Sequence, residues 1–372
     1  VVPHCPHSRL CGGCTWQEWG YEHQLRMKEH YVFDCADRIG KLSGYQALPI
    51  IGAETTQGYR NKVEFSFSNR RWLTPGELQD FETLDQRSLG YHVPRHFDKV
   101  LPIEHCALHR PDLNAIRNAI FRHALDHNLT FYDYKAHTGW LRNVQFRTEL
   151  RDRFPAITTL LWMVNPKKHD SYTDLTFEPW QGNPFLIEKL GDYQFKVSPT
   201  SFFQTNTRQA ERLYSVVREL LPPDIPMLYD LYCGTGSIGL FVSDRFRRGL
   251  GIEYVESAVA DARVNAALNG IRHLEFVSGN LGKMFTAAFL EQHPAPSHIV
   301  LDPPRAGLDP LVVRQLPILA PQEMVYVSCN PATLARDLEL LNEHFSVRSI
   351  QPVDMFPHTR HVEAVAHLGR RN

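Results

Sequence analysis

The hydrophobic positions change their pattern once along the chain. Up to about residue 190 they come in short runs broken by aromatics and turn residues. Val63-Glu64-Phe65-Ser66-Phe67 alternates with period two, as a strand wet on one face should. Leu160-Leu161-Trp162-Met163-Val164 is another short apolar run, and residues 20–40 and 111–127 read as helices. From about 227 the alternation becomes regular. Met227–Tyr232 reads as an apolar strand, followed by a glycine-rich turn and a helix. Strands follow at Gly249–Glu253, Leu274–Val277, His298–Leu301 and Met324–Ser328, with helices at 255–269 and 331–343. Val347–Val353 and Val362–Leu368 are suited to pair as a closing hairpin. Such strand–helix alternation predicts an α/β fold, a doubly wound Rossmann-like sheet with helices on both faces. The expected division is a β-rich region over 1–190 and a Rossmann-like domain over 191–372. The helix at about 20–42 is expected to pack back onto the second.

Ligands of these sheets sit at the carboxyl ends of the strands, so the residues just after each strand are the candidates. Gly234-Thr235-Gly236-Ser237-Ile238-Gly239 follows the first strand. Its glycines let the turn tighten and let a ligand approach the backbone. Glu253 ends the second strand, where a carboxylate accepts hydrogen bonds from a ribose diol. This pair suits a nicotinamide cofactor as well as S-adenosylmethionine. Asp302-Pro303-Pro304-Arg305 follows the fourth strand. Methylases of exocyclic amines carry a similar turn, but with an aromatic next to stack on the base. Arg305 in that place argues against amine methylation. Ser328-Cys329-Asn330-Pro331 follows the fifth strand, just before a helix. The helix field there is expected to favour thiolate; the plainer alternative is a small packed residue.

Composition narrows the class. Hydrophobic residues make up 43% and charged residues 22%, which reads as soluble and globular. No apolar run approaches the ~20 residues of a membrane helix, so no membrane partner is expected. The opening Val1-Val2-Pro3-His4-Cys5 does not read as a signal peptide, and a cytoplasmic location is expected. That start carries no Met, so the expectation applies to the sequence as it stands. The net charge of −1 exerts no overall pull on nucleic acid. Phosphate contacts would have to come from local clusters: Arg60, Lys62, Arg70 and Arg71; Arg142, Arg147, Arg151 and Arg153; Lys167 and Lys168.

The seven cysteines are odd in number and irregular in spacing, which does not suit a disulfide scaffold and points to a reducing compartment. Cys5, Cys11 and Cys14 form C-x5-C-x2-C, and Cys106 lies downstream. Four thiolates could hold either Zn²⁺ or an iron–sulfur cluster. The spacing is not the C-x3-C-x2-C of radical enzymes, so the site is given no catalytic part. Cys35 and Cys233 fit no ligand set and are expected to be packed.

Five motifs, taken in order, resemble one family. They are Ser201-Phe202-Phe203-Gln204-Thr205-Asn206, Asp230-Leu231-Tyr232-Cys233-Gly234-Thr235-Gly236, Asp302-Pro303-Pro304-Arg305-Ala306-Gly307, Ser328-Cys329-Asn330-Pro331-Ala332-Thr333 and Asp354-Met355-Phe356-Pro357-His358-Thr359 with His361-Val362-Glu363. The chain is similar over most of its length to the RNA 5-methyluridine methyltransferases. The resemblance implies S-adenosylmethionine as cofactor, RNA as partner, Cys329 as nucleophile and Glu363 as base. It implies cofactor contacts at Gln204, Tyr232, Ser237, Glu253, Asn280 and Asp302, beside Gly234 of the turn. Ser237 stands where some relatives have Asn.

The chemistry gives an independent reason for these residue types. C5 of uracil is a poor nucleophile until a thiolate adds to C6. A base must then remove the C5 proton, and a carboxylate suits that task. Glu363 in the apolar run His361–Ala366 is expected to be buried rather than a surface charge. The base must leave its stack to reach Cys329, and Phe202, Phe203 and Phe356 are candidates for stacking or packing.

The cysteine set, with Gly12-Gly13-Cys14-Thr15-Trp16-Gln17, resembles the [4Fe–4S] site of the ribosomal-RNA branch. The transfer-RNA branch commonly lacks it, so 23S rRNA is the implied substrate and tRNA the alternative. Many ribosomal-RNA members carry a small β-barrel RNA-binding domain before the first cysteine, and this chain begins at that point. An iron–sulfur nicotinamide oxidoreductase is the distant alternative; it leaves Cys329, Glu363 and Arg305 unexplained. A silent RNA binder needs neither Cys329 nor Glu363. A cytosine-C5 methylase usually needs a second cysteine near the Pro-Pro turn, which is absent here.

Overall fold

The alternation after residue 227 builds the central sheet. The computed structural model describes residues 1–80, 82–147, 159–169, 171 and 174–371. The chain opens with α1 (Tyr21–Arg38), β1 (Gln46–Ala47), β2 (Lys62–Ser68), β3 (Ser88–Val93), β4 (His96–Pro102) and α2 (Pro111–Asp126). It continues through β5 (Asn143–Arg147), β6 (Leu160–Trp162), β7 (Glu178–Gln181), β8 (Leu186–Leu190), β9 (Tyr193–Val197) and α3 (Thr207–Leu220). Next come β10 (Leu228–Leu231), α4 (Ser237–Phe241), β11 (Gly249–Glu253), α5 (Glu256–Leu268), β12 (Leu274–Ser278), α6 (Leu281–Met284) and α7 (Ala287–Gln292). The last elements are β13 (His298–Leu301), α8 (Pro310–Leu319), β14 (Glu323–Ser328), α9 (Pro331–Leu341), β15 (Phe345–Val353) and β16 (Glu363–Arg370).

The main sheet has the order β1-β15-β16-β14-β13-β10-β11-β12. Strands β14, β13, β10, β11 and β12 run parallel, and β16 runs antiparallel to β14 and β15. The chain leaves β10 towards β11 and β12, then crosses back to β13 on the other side. That reversal opens a crevice at the carboxyl ends of β10 and β13. Side chains divide with period two between the faces. Leu228 and Val300 enter one core; Tyr229, Leu231, Ile299 and Leu301 enter the other. Residues of α3, α4 and α5 cover the first face, and those of α1, α8 and α9 the second. α1 therefore packs on the second region, as its position in the sequence allowed.

The first region is built on an antiparallel sheet of order β4-β3-β2-β5. The alternation expected in β2 is observed: Val63, Phe65 and Phe67 are buried, while Lys62, Glu64 and Ser66 are half-buried. The run at 160–164 makes only a short pairing, β6 with β7. β8 and β9 pair with each other and pack on α3, α4 and α5, so residues on both sides of 190 fold with the main sheet. Cys35 and Cys233 are buried, as expected.

Several expected phosphate contacts are engaged within the chain. Arg71 pairs with Glu77, and Arg70 lies 3.8 Å from Asp98 and from Asp133. Arg142 donates to Lys167 O (2.6 Å) and Lys168 O (3.2 Å). Arg147 donates to Ser201 O (2.9 Å), which ties β5 to the loop before α3. Arg151 and Arg153 lie outside the described residues.

Candidate active site

The turn after β10 holds a strained backbone. Tyr232 sits at φ 64, Gly234 at φ 53 and Gly236 at φ 79. A Cβ at Gly236 would meet Phe276 Cζ at 2.8 Å, so this glycine lets the turn press onto the sheet. A Cβ at Gly234 would meet nothing within 4 Å, which leaves open space above the turn for a ligand. Glu253 borders that space. Its Oε2 accepts from Gly234 N (3.1 Å), and its Oε1 accepts from Tyr254 N (2.8 Å) and Val255 N (2.9 Å). The carboxylate is thereby fixed at the end of β11. Ser237 Oγ lies 3.0 Å from Tyr214 Oη. Asn280 caps α6, its side chain accepting from Gly282 N (3.0 Å). Gln204 lies on the loop before α3, and its carbonyl accepts from Asn61 Nδ2 (3.0 Å).

The strand register accounts for the pairing of Cys329 with Glu363. Ser328 of β14 lies opposite Ala364 of β16 in an antiparallel pair. Continuing that register one residue, forward in β14 and back in β16, leads to Cys329 and Glu363, and the Glu363 charge acts on the thiol. Asp302, just after β13, joins them from the neighbouring strand. The Asp302 and Glu363 charges both act on Cys329, and Arg305 opposes them. Glu363 is buried as expected, and its pKa is pushed up to about 8, first by burial and then by Asp302. Burial also raises Asp302 to about 7.

One expectation is corrected. The thiol of Cys329 is raised to about 11, not lowered. Burial is the largest cause, and the two carboxyl groups add to it. The nearby Arg305 and a backbone hydrogen bond act the other way but are outweighed. The Phe residues also divide: Phe202 is exposed, Phe203 is in the core, and Phe356 packs between two cores.

Two loops carrying these groups are laced together. Asn330 caps α9, and its Nδ2 donates to Arg305 O (3.2 Å). Arg336 donates to Ala306 O (2.9 Å), and the buried Asp337 accepts from Leu308 N (2.7 Å) and Tyr326 OH (2.7 Å). Gly307 is required where they meet: at φ 83, a Cβ would strike Asp337 Oδ2 at 2.5 Å.

Asp230, in the motif that ends β10, belongs to the same electrostatic group. It is buried, accepts from Gly239 N (2.9 Å) through Oδ2, and is raised to about 7 by burial, with Asp302 and Glu253 adding to the shift. Its signal in the sequence is a carboxylate inside an otherwise apolar strand. Asp230, Asp302 and Glu363 all hold protons more tightly when folded. Their stabilising contribution is complete near pH 4 and is lost as pH rises through 7 to 8. The thermal midpoint of the free protein is therefore expected to fall from pH 6 to pH 8.5. A calorimetric series across that range checks it; a flat or rising midpoint would contradict it.

The four N-terminal cysteines do approach one another. Cys11 is raised to about 12 and Cys14 to about 11, chiefly by burial, with further contributions from the other thiols. Cys5 is raised by burial and by Cys106. Among the described residues, no group of three or more His, Cys, Asp or Glu side chains is set to hold a metal ion.

A family model described as tRNA (Uracil-5-)-methyltransferase matches residues 188–371. An uncharacterized RNA methyltransferase of Bacteroides thetaiotaomicron is 42% identical over 401 residues, spanning 100% of this chain and 88% of its own. One from Porphyromonas gingivalis is 41% identical, spanning 99% and 86%. The chain belongs to the RNA (uracil-5)-methyltransferase family. It is similar in structure to the Pyrococcus abyssi tRNA (uracil-54, C5)-methyltransferase solved with S-adenosyl-L-homocysteine. That match has a TM-score of 0.77 and 27% identity, covering 97% of this chain and 86% of the other. The methyltransferase is S-adenosylmethionine-dependent. Its glycine turn, the fixed Glu253 and the buried acids beside Cys329 fit a ribose-bearing, cationic cofactor. No described helix is long and apolar enough to cross a membrane.

Proposed function

We propose that this methyltransferase acts on C5 of a uridine in 23S rRNA, with Cys329 as nucleophile and Glu363 as base. The observation that carries the chemistry is the register that sets Cys329 against a buried Glu363. When bound, S-adenosylmethionine supplies an electrophilic methyl group on a cationic sulfur. Gln204, Tyr232, Gly234, Ser237, Glu253, Asn280 and Asp302 are the residues that would hold it. Asp302 and Glu363 act on Cys329 from the same buried site, and a positive charge bound beside them would favour the ionised forms of all three.

Cys329 Sγ forms a bond to C6 as the C5=C6 electron pair shifts to C5 and O4. C5 then takes the methyl group, whose bond to the cofactor's sulfur breaks with the electron pair staying on sulfur as a neutral thioether. The Glu363 carboxylate accepts the C5 proton, the C5=C6 bond reforms, and the Sγ–C6 bond breaks to return the thiolate. Asn330 and Asp337 hold the loops on which Cys329 and Arg305 are carried.

The cysteine set supports the ribosomal reading, with a [4Fe–4S] cluster on Cys5, Cys11, Cys14 and Cys106. The four thiols act on one another electrostatically, and four thiolates suit an iron–sulfur cluster or a zinc ion. No catalytic step runs through that site. The overlap with a tRNA enzyme over 97% of the chain favours tRNA as the second reading.

Unmodified 23S rRNA and tRNA, incubated with S-adenosylmethionine and the enzyme, separate these readings. Fragment mass spectrometry is expected to find 5-methyluridine at a defined rRNA position. Product in tRNA alone would overturn the ribosomal assignment. Iron and sulfide in the anaerobically purified protein, lost on Cys11→Ala, are expected; zinc in their place would refute the cluster.

A further inference from the structure

The inward-facing polar residues of α1 are not used by the chemistry described so far. Gln24 and Lys28 are fully buried, and with Tyr21 they fall at i, i+3 and i+7 on one helical face. All three end on Asp354–His358, the segment that joins β15 to Glu363. Lys28 Nζ donates to Asp354 Oδ1 (2.6 Å) and Phe356 O (3.0 Å). Tyr21 OH donates to Asp354 Oδ2 (2.8 Å). Gln24 makes the most contacts. Its Oε1 accepts from His358 N (2.8 Å), and its Nε2 donates to Trp16 O (3.0 Å) and Trp19 O (2.9 Å) and lies 3.2 Å from His358 Nδ1. Trp16 N donates in turn to His358 O (3.0 Å). His358 is held at φ 66, a conformation uncommon outside glycine that persists where the surroundings impose it.

We infer that α1 is the element that positions Glu363, and that Gln24 is its positioning residue through His358. The inference rests on Glu363 being the base. If His358 relaxes out of the left-handed region, the segment before β16 shifts and the carboxylate moves away from C5. Cys329 still adds to C6, and C5 still takes the methyl group. Transfer of the C5 proton to Glu363 slows, so the Sγ–C6 bond is not broken and a methylated Cys329–RNA adduct accumulates.

The test follows that adduct on denaturing gels, with transcribed 23S rRNA and tRNA supplied together and S-adenosylmethionine present. Adduct is counted per molecule that binds the cofactor, so misfolded protein drops out of the ratio. Gln24→Met is expected to lower turnover at least about tenfold, leave KM for RNA within about twofold, and raise the stalled adduct. Tyr21→Phe, a smaller change on the same face, is expected to move both readouts the same way by less. A merely structural Gln24 would lower turnover and adduct together, in proportion to folded protein, and that result overturns the inference. Glu363→Gln serves as the reference. If it stalls and Gln24→Met does not, the positioning role is wrong. If Glu363→Gln itself gives no adduct, the assignment of the base has failed.

Discussion

Cys329→Ala is expected to abolish methyl transfer, lowering kcat by about four orders of magnitude or more. The size follows from the chemistry: without a group adding to C6, C5 has no carbanion character, and cofactor proximity alone cannot supply it. Cys329 stands outside the packed core, at the junction of β14 and α9, so truncation leaves the fold intact. Cofactor affinity should therefore change little, and calorimetric titration beside the rate assay checks that separation. Glu363→Gln fails differently, because addition and methylation precede the proton transfer. It is expected to lose turnover to a similar degree while leaving RNA covalently attached to the protein. Finding free methylated product with Glu363→Gln would show that another group takes the C5 proton. Loss of cofactor binding with Cys329→Ala would show that the cysteine shapes the site rather than reacting.

Lys28→Met is expected to cost about 3–5 kcal/mol of stability. The Lys28–Asp354 pair has both side chains at 0% exposure, so removing the ammonium strands a carboxylate in a medium that cannot solvate it. Burial already lowers the Lys28 pKa, and Asp354 only partly offsets it. Asp354 keeps hydrogen bonds from Tyr21 OH and Phe356 N, which places the loss towards the lower end of that range. The double variant Lys28→Met, Asp354→Asn is expected to recover much of it, because no unpaired buried charge remains. Denaturant midpoints at constant slope measure both. A loss below about 1 kcal/mol would mean that water reaches the pair.

The α/β domain was legible because its inner strands β10, β13 and β14 are buried on both faces and read as short apolar runs. His298–Leu301 and Gly249–Glu253 are bounded in the structure as the sequence suggests, and the closing runs do pair as β15 and β16. The placement of the glycine turn, Glu253, Asp302 and Cys329 at or just after strand ends was legible for a related reason. Ligand chemistry in this architecture falls at strand ends, so their positions follow from the strand assignments. Less was legible where partners are distant. Asp354 and His358 were quoted within a motif, but nothing local shows that they face Lys28 and Gln24, more than 300 residues away. A lysine on a helix is indistinguishable from a solvated one until its neighbour is known. The surroundings that raise the Cys329 thiol were not legible for the same reason. A helix start is visible in the sequence, whereas the burial and the carboxyl groups that outweigh its field come from β13 and β16.

The sequence by itself thus determined the fold class and the strand ends at which the candidate groups fall, because periodicity and local motifs depend on near neighbours. Only the tertiary structure decided that the Glu363 charge acts on the Cys329 thiol, that buried Asp230, Asp302 and Glu363 are coupled, and that α1 clamps the segment leading to Glu363. Each of these is set by the register between strands, or by the packing of a helix, far apart in the chain. Burial there converts ordinary side chains into strongly coupled ones.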